Sequence, residues 1–211
     1  MCSSDLGLSA TPWRDIGDDM LIDACFGRVI GDISASYLIQ KNILVKPTIY
    51  FVHTRKKLDE DANYATAYKD GIVVNAERND LIANIAKNMV SEGRHVLILV
   101  RTIEHGEILE SMIPDSIFLH GSKGNKVRQN HIQNMRQKKV SVTIATSIFD
   151  EGVDVKPLDG LILAGSGKSQ TRALQRIGRV IRTYEDKATG FVKKDAFIVD
   201  FHDNMKYMLS H

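Results

Sequence analysis

Apolar residues fall into two kinds of run along this chain, and the two kinds alternate. Val96-Leu97-Ile98-Leu99-Val100 is an unbroken apolar run too short for a helix, which predicts a strand buried on both faces. Residues 103–112 follow, with Ile108, Leu109 and Met112 at helical spacing, and residues 117–119 read as the next strand. A basic helix is predicted over about 125–138, strands over 142–145 and 161–164, a helix over about 169–183, and a last strand over 196–201. Strands separated by helices predict an α/β fold: a parallel sheet sandwiched by helices, with ligands at the carboxyl ends of the strands.

Upstream, residues 77–92 carry Leu81, Ile82, Ile85, Ala86, Met89 and Val90, the apolar stripe of one amphipathic helix leading into the first core strand. Residues 48–53, introduced by Pro47, read as an edge strand, whereas residues 14–40 mix apolar and acidic positions without a steady period and read as a connector. The 211 residues allow one α/β domain and a remainder, but not two full domains. No apolar run approaches the roughly 18 residues that span a bilayer, so no membrane partner is expected. Cys2 and Cys25 form neither a disulfide framework nor a metal-ligand spacing; a reducing, cytoplasmic setting is expected and no metal site is assigned to side chains of this chain.

The net charge of +2 conceals a segregation of acids and bases. Residues 117–149 contain no Asp or Glu but hold Lys123, Lys126, Arg128, Arg136, Lys138 and Lys139; residues 160–184, again without acids, hold Lys168, Arg172, Arg176, Arg179 and Arg182. Either run alone is compatible with a solvated helix face, but two in one domain point to a polyanionic partner, nucleic acid or nucleotide phosphate. In the second run, at 100° per residue, Leu174, Ile177 and Ile181 point one way and Arg172, Gln175, Arg179 and Arg182 the other. An apolar face would anchor the helix, and the arginines would present planar forks to phosphate oxygens.

Three segments in order carry a family resemblance: Gly7-Leu8-Ser9-Ala10-Thr11-Pro12; Ile144-Ala145-Thr146-Ser147-Ile148-Phe149-Asp150-Glu151-Gly152-Val153-Asp154; and Gln175-Arg176-Ile177-Gly178-Arg179-Val180-Ile181-Arg182. The chain resembles the DEAD/DEAH-like branch of superfamily 2 helicases and translocases, near type III restriction subunits, phage recombination helicases and excision-repair helicases, with motifs III to VI over about residues 7–205. The resemblance implies a RecA-like second helicase lobe over 46–211, preceded by a motif III remnant and interlobe connector over 7–45. It implies that Ser9, Ala10 and Thr11 couple hydrolysis to lobe movement. Arg101, Thr102, Thr146, Ser147, Lys168 and Ser169 would meet a nucleic-acid strand, DNA by family branch; Gly152 and Asp154 would meet the nucleotide. Gln175, Arg179 and Arg182 would form the catalytic set, the two arginines acting as fingers on the triphosphate. Leu119-His120-Gly121 resembles a strand-turn signature of the family, although a lone histidine there is more often structural.

Gly165-Ser166-Gly167-Lys168-Ser169 mimics a phosphate-binding loop, but the position five before Gly167 is Ile162, inside a strand, so the backbone lacks the residues to wrap a phosphate. A small nucleotide-binding enzyme built on Lys168 is therefore disfavoured. No Gly-x4-Gly-Lys-Ser/Thr loop and no Asp-Glu-x-Asp/His run precedes Gly7. ATP and Mg²⁺ are accordingly expected to be held mostly by a first RecA-like lobe, the expected protein partner. Met1-Cys2-Ser3-Ser4-Asp5-Leu6 is unlike the strand the family has there and resembles the translated end of a sequencing adapter, which reads residues 1–6 as a tag and the chain as a truncated second lobe. The alternative for this polypeptide alone is a non-enzymatic nucleic-acid-binding module. Asp200-Phe201-His202-Asp203-Asn204-Met205 is expected to close the sheet and start a further helix.

Overall fold

The computed structural model describes residues 7–9, 20–58, 61–146, 157–165, 170–186, 190–205 and 207. Its centre is a six-stranded, wholly parallel sheet. In chain order the strands are β1 (Lys46–Thr54), β2 (Val96–Leu99), β3 (Ser116–Leu119), β4 (Val142–Ala145), β5 (Gly160–Leu163) and, after a two-stranded ribbon of β6 (Glu185–Asp186) and β7 (Phe191–Val192), β8 (Asp195–Asp203). Across the sheet they run β1-β8-β5-β2-β4-β3. Every residue of β2, β4 and β5 is buried, the reason these strands read as unbroken apolar runs.

Helices cover both faces. On one lie α4 (Ala76–Ser91) and α5 (Ile103–Met112), packed through Ile82, Ala86, Met89 and Leu109 onto Val96, Ile98, Ile144, Ile162 and Val199. On the other lie α6 (Asn125–Arg136) and α7 (Gln170–Val180), packed through Met135 and Val180 onto Leu97, Leu99, Leu161 and Ile198. The side of the sheet alternates along each strand, as the pleat requires. β1 is the edge strand its Pro47 foretold, with Ile49, Tyr50 and Phe51 exposed.

Three elements have no strong sequence signal: α3 (Tyr64–Tyr68), the single π-helical turn Lys69–Val73 that continues it, and the β6/β7 ribbon. The connector region contains two short helices, α1 (Met20–Phe26) and α2 (Ala35–Gln40), neither with a buried residue. It joins the core just afterwards, where Val45 N–H donates to the Ile181 carbonyl at 2.8 Å, Leu44 bridges Arg182, and Thr183 Oγ1 donates to the Ile43 carbonyl at 3.2 Å. The helix expected after the last strand falls on residues that lie mostly outside the described ones; β8 runs to Asp203, and Met205 turns into a small apolar cluster with Tyr68, Ile72 and Val73. Among the described residues no helix is long and apolar enough to cross a membrane.

One helix sits rotated from its expected face. On α4 the buried side is Arg78, Asn79, Ile82, Ala83, Ala86 and Met89, while Leu81 is exposed. At α7 Ile177 and Ile181 pack against the core as expected, Arg176 and Val180 are buried beside them, and Leu174 lies at the surface with 44% of its area exposed. In α4 the cause is visible, because the polar residues turned inward meet partners that lie far away in the chain.

Gly106 in α5 lies against Phe118, and a Cβ added there would come within 2.2 Å of the buried ring. Gly106→Ala is expected to lower stability by about 1–3 kcal/mol despite alanine's higher helix propensity. Denaturant unfolding would show this, and Phe118→Leu in the same chain should recover part of the loss; a stabilised single variant would contradict the packing.

Candidate nucleotide and nucleic-acid interface

β2 and β5 are neighbours whose connections diverge: the chain leaves β2 through α5 toward β3, and leaves β5 through α7 toward β8. That divergence opens a crevice at their carboxyl ends, the place where open α/β sheets bind ligands. The ladder continues past the strands through Val100 N–H to the Ala145 carbonyl at 2.9 Å, Ala164 N–H to the Leu99 carbonyl at 2.9 Å, and Thr146 N–H to the Leu119 carbonyl at 3.2 Å. These bonds set Arg101, Thr146 and Gly165 at the ends of adjacent strands.

Arg101 is exposed at this edge, and its guanidinium donates to Tyr64 Oη at 2.7 Å. Thr102 caps α5, its hydroxyl oxygen accepting from His105 N–H at 3.3 Å, which leaves the hydroxyl proton for another acceptor. Thr146 is largely buried, with 9% of its surface open. Behind them lies a polar cluster that sequence reasoning missed. Arg78 donates to Asp203 through Nε at 2.8 Å and Nη2 at 3.0 Å, and through Nη1 to the Ala164 carbonyl at 2.7 Å; Thr54 Oγ1 also donates to Asp203. The guanidinium rests on the Phe201 ring, 4.6 Å from its centroid. Four elements, α4, β1, β5 and β8, are thus fastened at the carboxyl edge.

Beside this cluster Tyr68 Oη donates to the Gly165 carbonyl at 3.2 Å, and burial raises its phenol pKa to about 12. A Cβ at Gly165 would approach that hydroxyl to 2.8 Å, so the close approach of loop and ring requires glycine. His105 is fully buried, with Nε2 3.0 Å from Asn79 Oδ1, and Asn79 Nδ2 in turn donates to the Val73 carbonyl at 2.8 Å. With the amide oxygen accepting, Nε2 carries the proton and Nδ1 is bare. Burial first, and Arg78 second, depress the His105 pKa to about 3.

On α7 Gln175 is exposed and Arg179 half-buried, beside the buried Arg176 and Val180, and Arg182, two residues past the end of the helix, is exposed. The carboxyl end of this helix is held by Lys193, a buried residue whose Nζ donates to the Val180 and Leu158 carbonyls. A cation there complements the helix dipole. In sequence Lys193-Lys194 looks like an ordinary solvated pair, so nothing marked it. His120, which follows β3, stacks on Phe118 with centroids 5.0 Å apart, in keeping with a structural histidine. Ser9 is exposed, and Ala10, Thr11, Ser147, Gly152, Asp154, Lys168 and Ser169 lie outside the described residues. Among the described residues no group of three or more His, Cys, Asp or Glu side chains could hold a metal ion.

This architecture is that of a RecA-like helicase lobe. Residues 77–184, just over half of the chain, match the model of the helicase conserved C-terminal domain, and the chain belongs to that family. It is 27% identical to Putative helicase 22 of Sulfolobus islandicus filamentous virus over 89% of this chain and 36% of that one. It is 21% identical to the ATP-dependent DNA helicase uvsW of Enterobacteria phage T4 over 100% and 46% of the respective lengths. The crystal structure of T4 UvsW superposes with a TM-score of 0.58 at 23% identity, covering 75% of this chain and 32% of that one. A variant of S. cerevisiae Dbp5 bound to RNA and ADP BeF3 superposes at 0.59 and 16% identity, over 92% and 43%. The chain spans less than half the length of each of these relatives.

Since His105 is neutral when folded but has an ordinary pKa near 6.5 when unfolded, the unfolded chain binds the proton more readily. Its contribution to stability is therefore complete above about pH 6.5 and is lost as pH falls toward 3. His105→Gln, which keeps an N–H for Asn79, is expected to flatten the fall in melting temperature between pH 6.5 and 4.5. An unchanged slope would show that the imidazole does not titrate in this way.

Proposed function

We propose that this domain is the second motor lobe of an ATP-dependent nucleic-acid helicase or translocase. The observation that carries the reading is the seating of α7: Ile177, Val180 and the following Ile181 pack on the sheet, the end of the helix is clamped by Lys193 and Val45, and Gln175 and Arg182 stay exposed with Arg179 half-buried. Guanidinium groups held on a fixed helix suit a phosphate chain that arrives from outside the lobe.

In this reading ATP is bound chiefly by a first RecA-like lobe, and closure of the cleft brings Arg179 and Arg182 to the γ-phosphate. Planar forks there favour the spread of negative charge in the transition state, an effect on the order of 10³-fold or more in rate. Gln175 orients groups beside them, and Gly152 and Asp154 approach the sugar. Mg²⁺ neutralises phosphate charge when bound, and its ligands are expected in the first lobe. A single strand crosses the carboxyl edge at Arg101, Thr102, Thr146, Ser147, Lys168 and Ser169, largely through phosphates, so binding is sequence-independent and salt-sensitive. Ser9, Ala10 and Thr11 couple the two events.

The names of two relatives, the DNA helicase uvsW and a putative DNA 3'-5' helicase, Rad25, from Halobacterium salinarum, support DNA as the strand. Residues 46–211 form the lobe in this reading, with 7–45 as motif III remnant and connector; the burial of Val45 beside Ile181 supports a lobe that starts near this point.

In a two-lobed protein carrying this domain, Arg179→Ala or Arg182→Ala should remove at least about 99% of ATP turnover while leaving melting temperature and strand binding nearly unchanged. Equal losses of stability and turnover would make the arginines structural. The 211-residue chain alone should bind single strands and show no strand-stimulated ATPase; turnover abolished by Arg179→Ala would contradict the need for a second lobe.

A further inference from the structure

We propose that Arg101, Tyr64 and Tyr207 form a stacking platform for one unpaired nucleobase, a base contact added to the phosphate contacts of the reading above, on which it rests. Arg101 enters from the end of β2, Tyr64 from α3 and Tyr207 from beyond β8, segments far apart in the chain. The Arg101 guanidinium carbon lies 5.7 Å from the Tyr64 centroid and 5.2 Å from that of Tyr68. Tyr64 stacks on Tyr68 at 6.2 Å with 28° between the planes, and meets Tyr207 edge-on at 6.1 Å and 71°. A planar cation and three rings therefore share one spot beside the switch-point crevice.

The seat of this group is rigid. Tyr68 is anchored to Gly165 by its hydroxyl and buried with Ile72, Val73 and Met205, while Leu58, Tyr64 and Ile108 pack partly against that cluster. Lys56 Nζ donates to the Asp70 carbonyl at 2.7 Å and Lys69 pairs with Glu104 at 3.0 Å, tying the preceding loop and the π-helical turn in place. Yet the outer members are not core residues: Tyr64 is half-buried, Tyr207 is 41% exposed and Arg101 is exposed. Aromatic rings ordered at a surface beside a guanidinium have the chemistry that receives a splayed-out base, through π-stacking and the cation–π term, with tolerance for any base.

The guanidinium of Arg101 favours a nucleic-acid strand as the occupant; the exposed run Arg55, Lys56 and Lys57 leads from the end of β1 toward this region and is followed in sequence by Asp59, Glu60 and Asp61. Tyr64, Tyr68 and Tyr207 lie outside residues 77–184 that match the family model, and Arg101 lies within them.

The test compares binding of the 211-residue chain to a labelled oligothymidylate and to an abasic strand of equal length at one salt concentration. The abasic strand is expected to bind about tenfold more weakly. Tyr64→Leu, which keeps an apolar group on the cluster, should lose about tenfold on the thymidylate strand and nothing on the abasic one, while Tyr64→Phe should bind as the parent does. A 2-aminopurine placed in the strand should be quenched by the parent chain and not by Tyr64→Leu. Equal affinity of the parent for both strands overturns the platform and leaves the phosphate reading standing. Failure to bind either strand overturns both. An equal loss by Tyr64→Leu on both strands makes the tyrosine structural, and displacement of the strand by ATP that Tyr64→Leu abolishes gives the platform to a nucleotide; either result overturns the proposal.

Discussion

One buried ion pair governs the working edge of this lobe. Arg78 and Asp203 have side chains exposed to 1% and 5%, and a guanidinium so placed is tolerable only because its donors meet the two carboxylate oxygens and the Ala164 carbonyl. Removing one partner would leave a charge stranded in the core, at a cost of about 3–5 kcal/mol, a large part of the stability of a small domain. The geometry matters as much as the energy. Asp203 ends β8, Ala164 follows β5, Thr54 ends β1, and Arg78 lies in the first turn of α4. Their common point ties the ends of β1, β5 and β8 to α4 and, through the neighbouring Gly165, anchors Tyr68.

The same interaction explains why α4 turns Arg78 and Asn79 inward and leaves Leu81 at the surface. A hydrophobic wheel ranks Leu81 as core and Arg78 as solvent-facing, but it counts only transfer from water. Once Asp203 and His105 supply the missing hydrogen bonds, Arg78 and Asn79 can be buried with their donors and acceptors met, leaving His105 Nδ1 as the buried atom of this group without a partner among the described residues. At α7 the expected apolar face holds at Ile177 and Ile181, and Arg176 replaces Leu174 on the buried side.

The working surface is assembled from two kinds of part. The family domain, residues 77–184, supplies the crevice, Arg101, Thr146 and the arginine helix. Segments outside it hold those parts: Lys193 and Val45 clamp α7, and α3 with Met205 builds the cluster under Arg101. The basic stretches themselves contain few aromatics. The rings beside Arg101 come instead from acid-flanked or terminal segments that no charge pattern connects to it.

By itself the sequence determined the alternation of strands and helices, the parallel sheet, the edge position of β1 and the motif order that belongs to this family of lobes. These are local or short-range properties: a strand buried on both faces must be apolar throughout, and a helix between parallel strands must show its period. Only the tertiary structure decided where Arg78, His105, Tyr68 and Lys193 go. Each is a polar group whose burial depends on a partner between 13 and 125 positions away, and no window of sequence contains both halves of such a bond. The same holds for the pairing of Tyr64 with Arg101, 37 positions apart, which exists because the strand order of the sheet brings their elements to one edge.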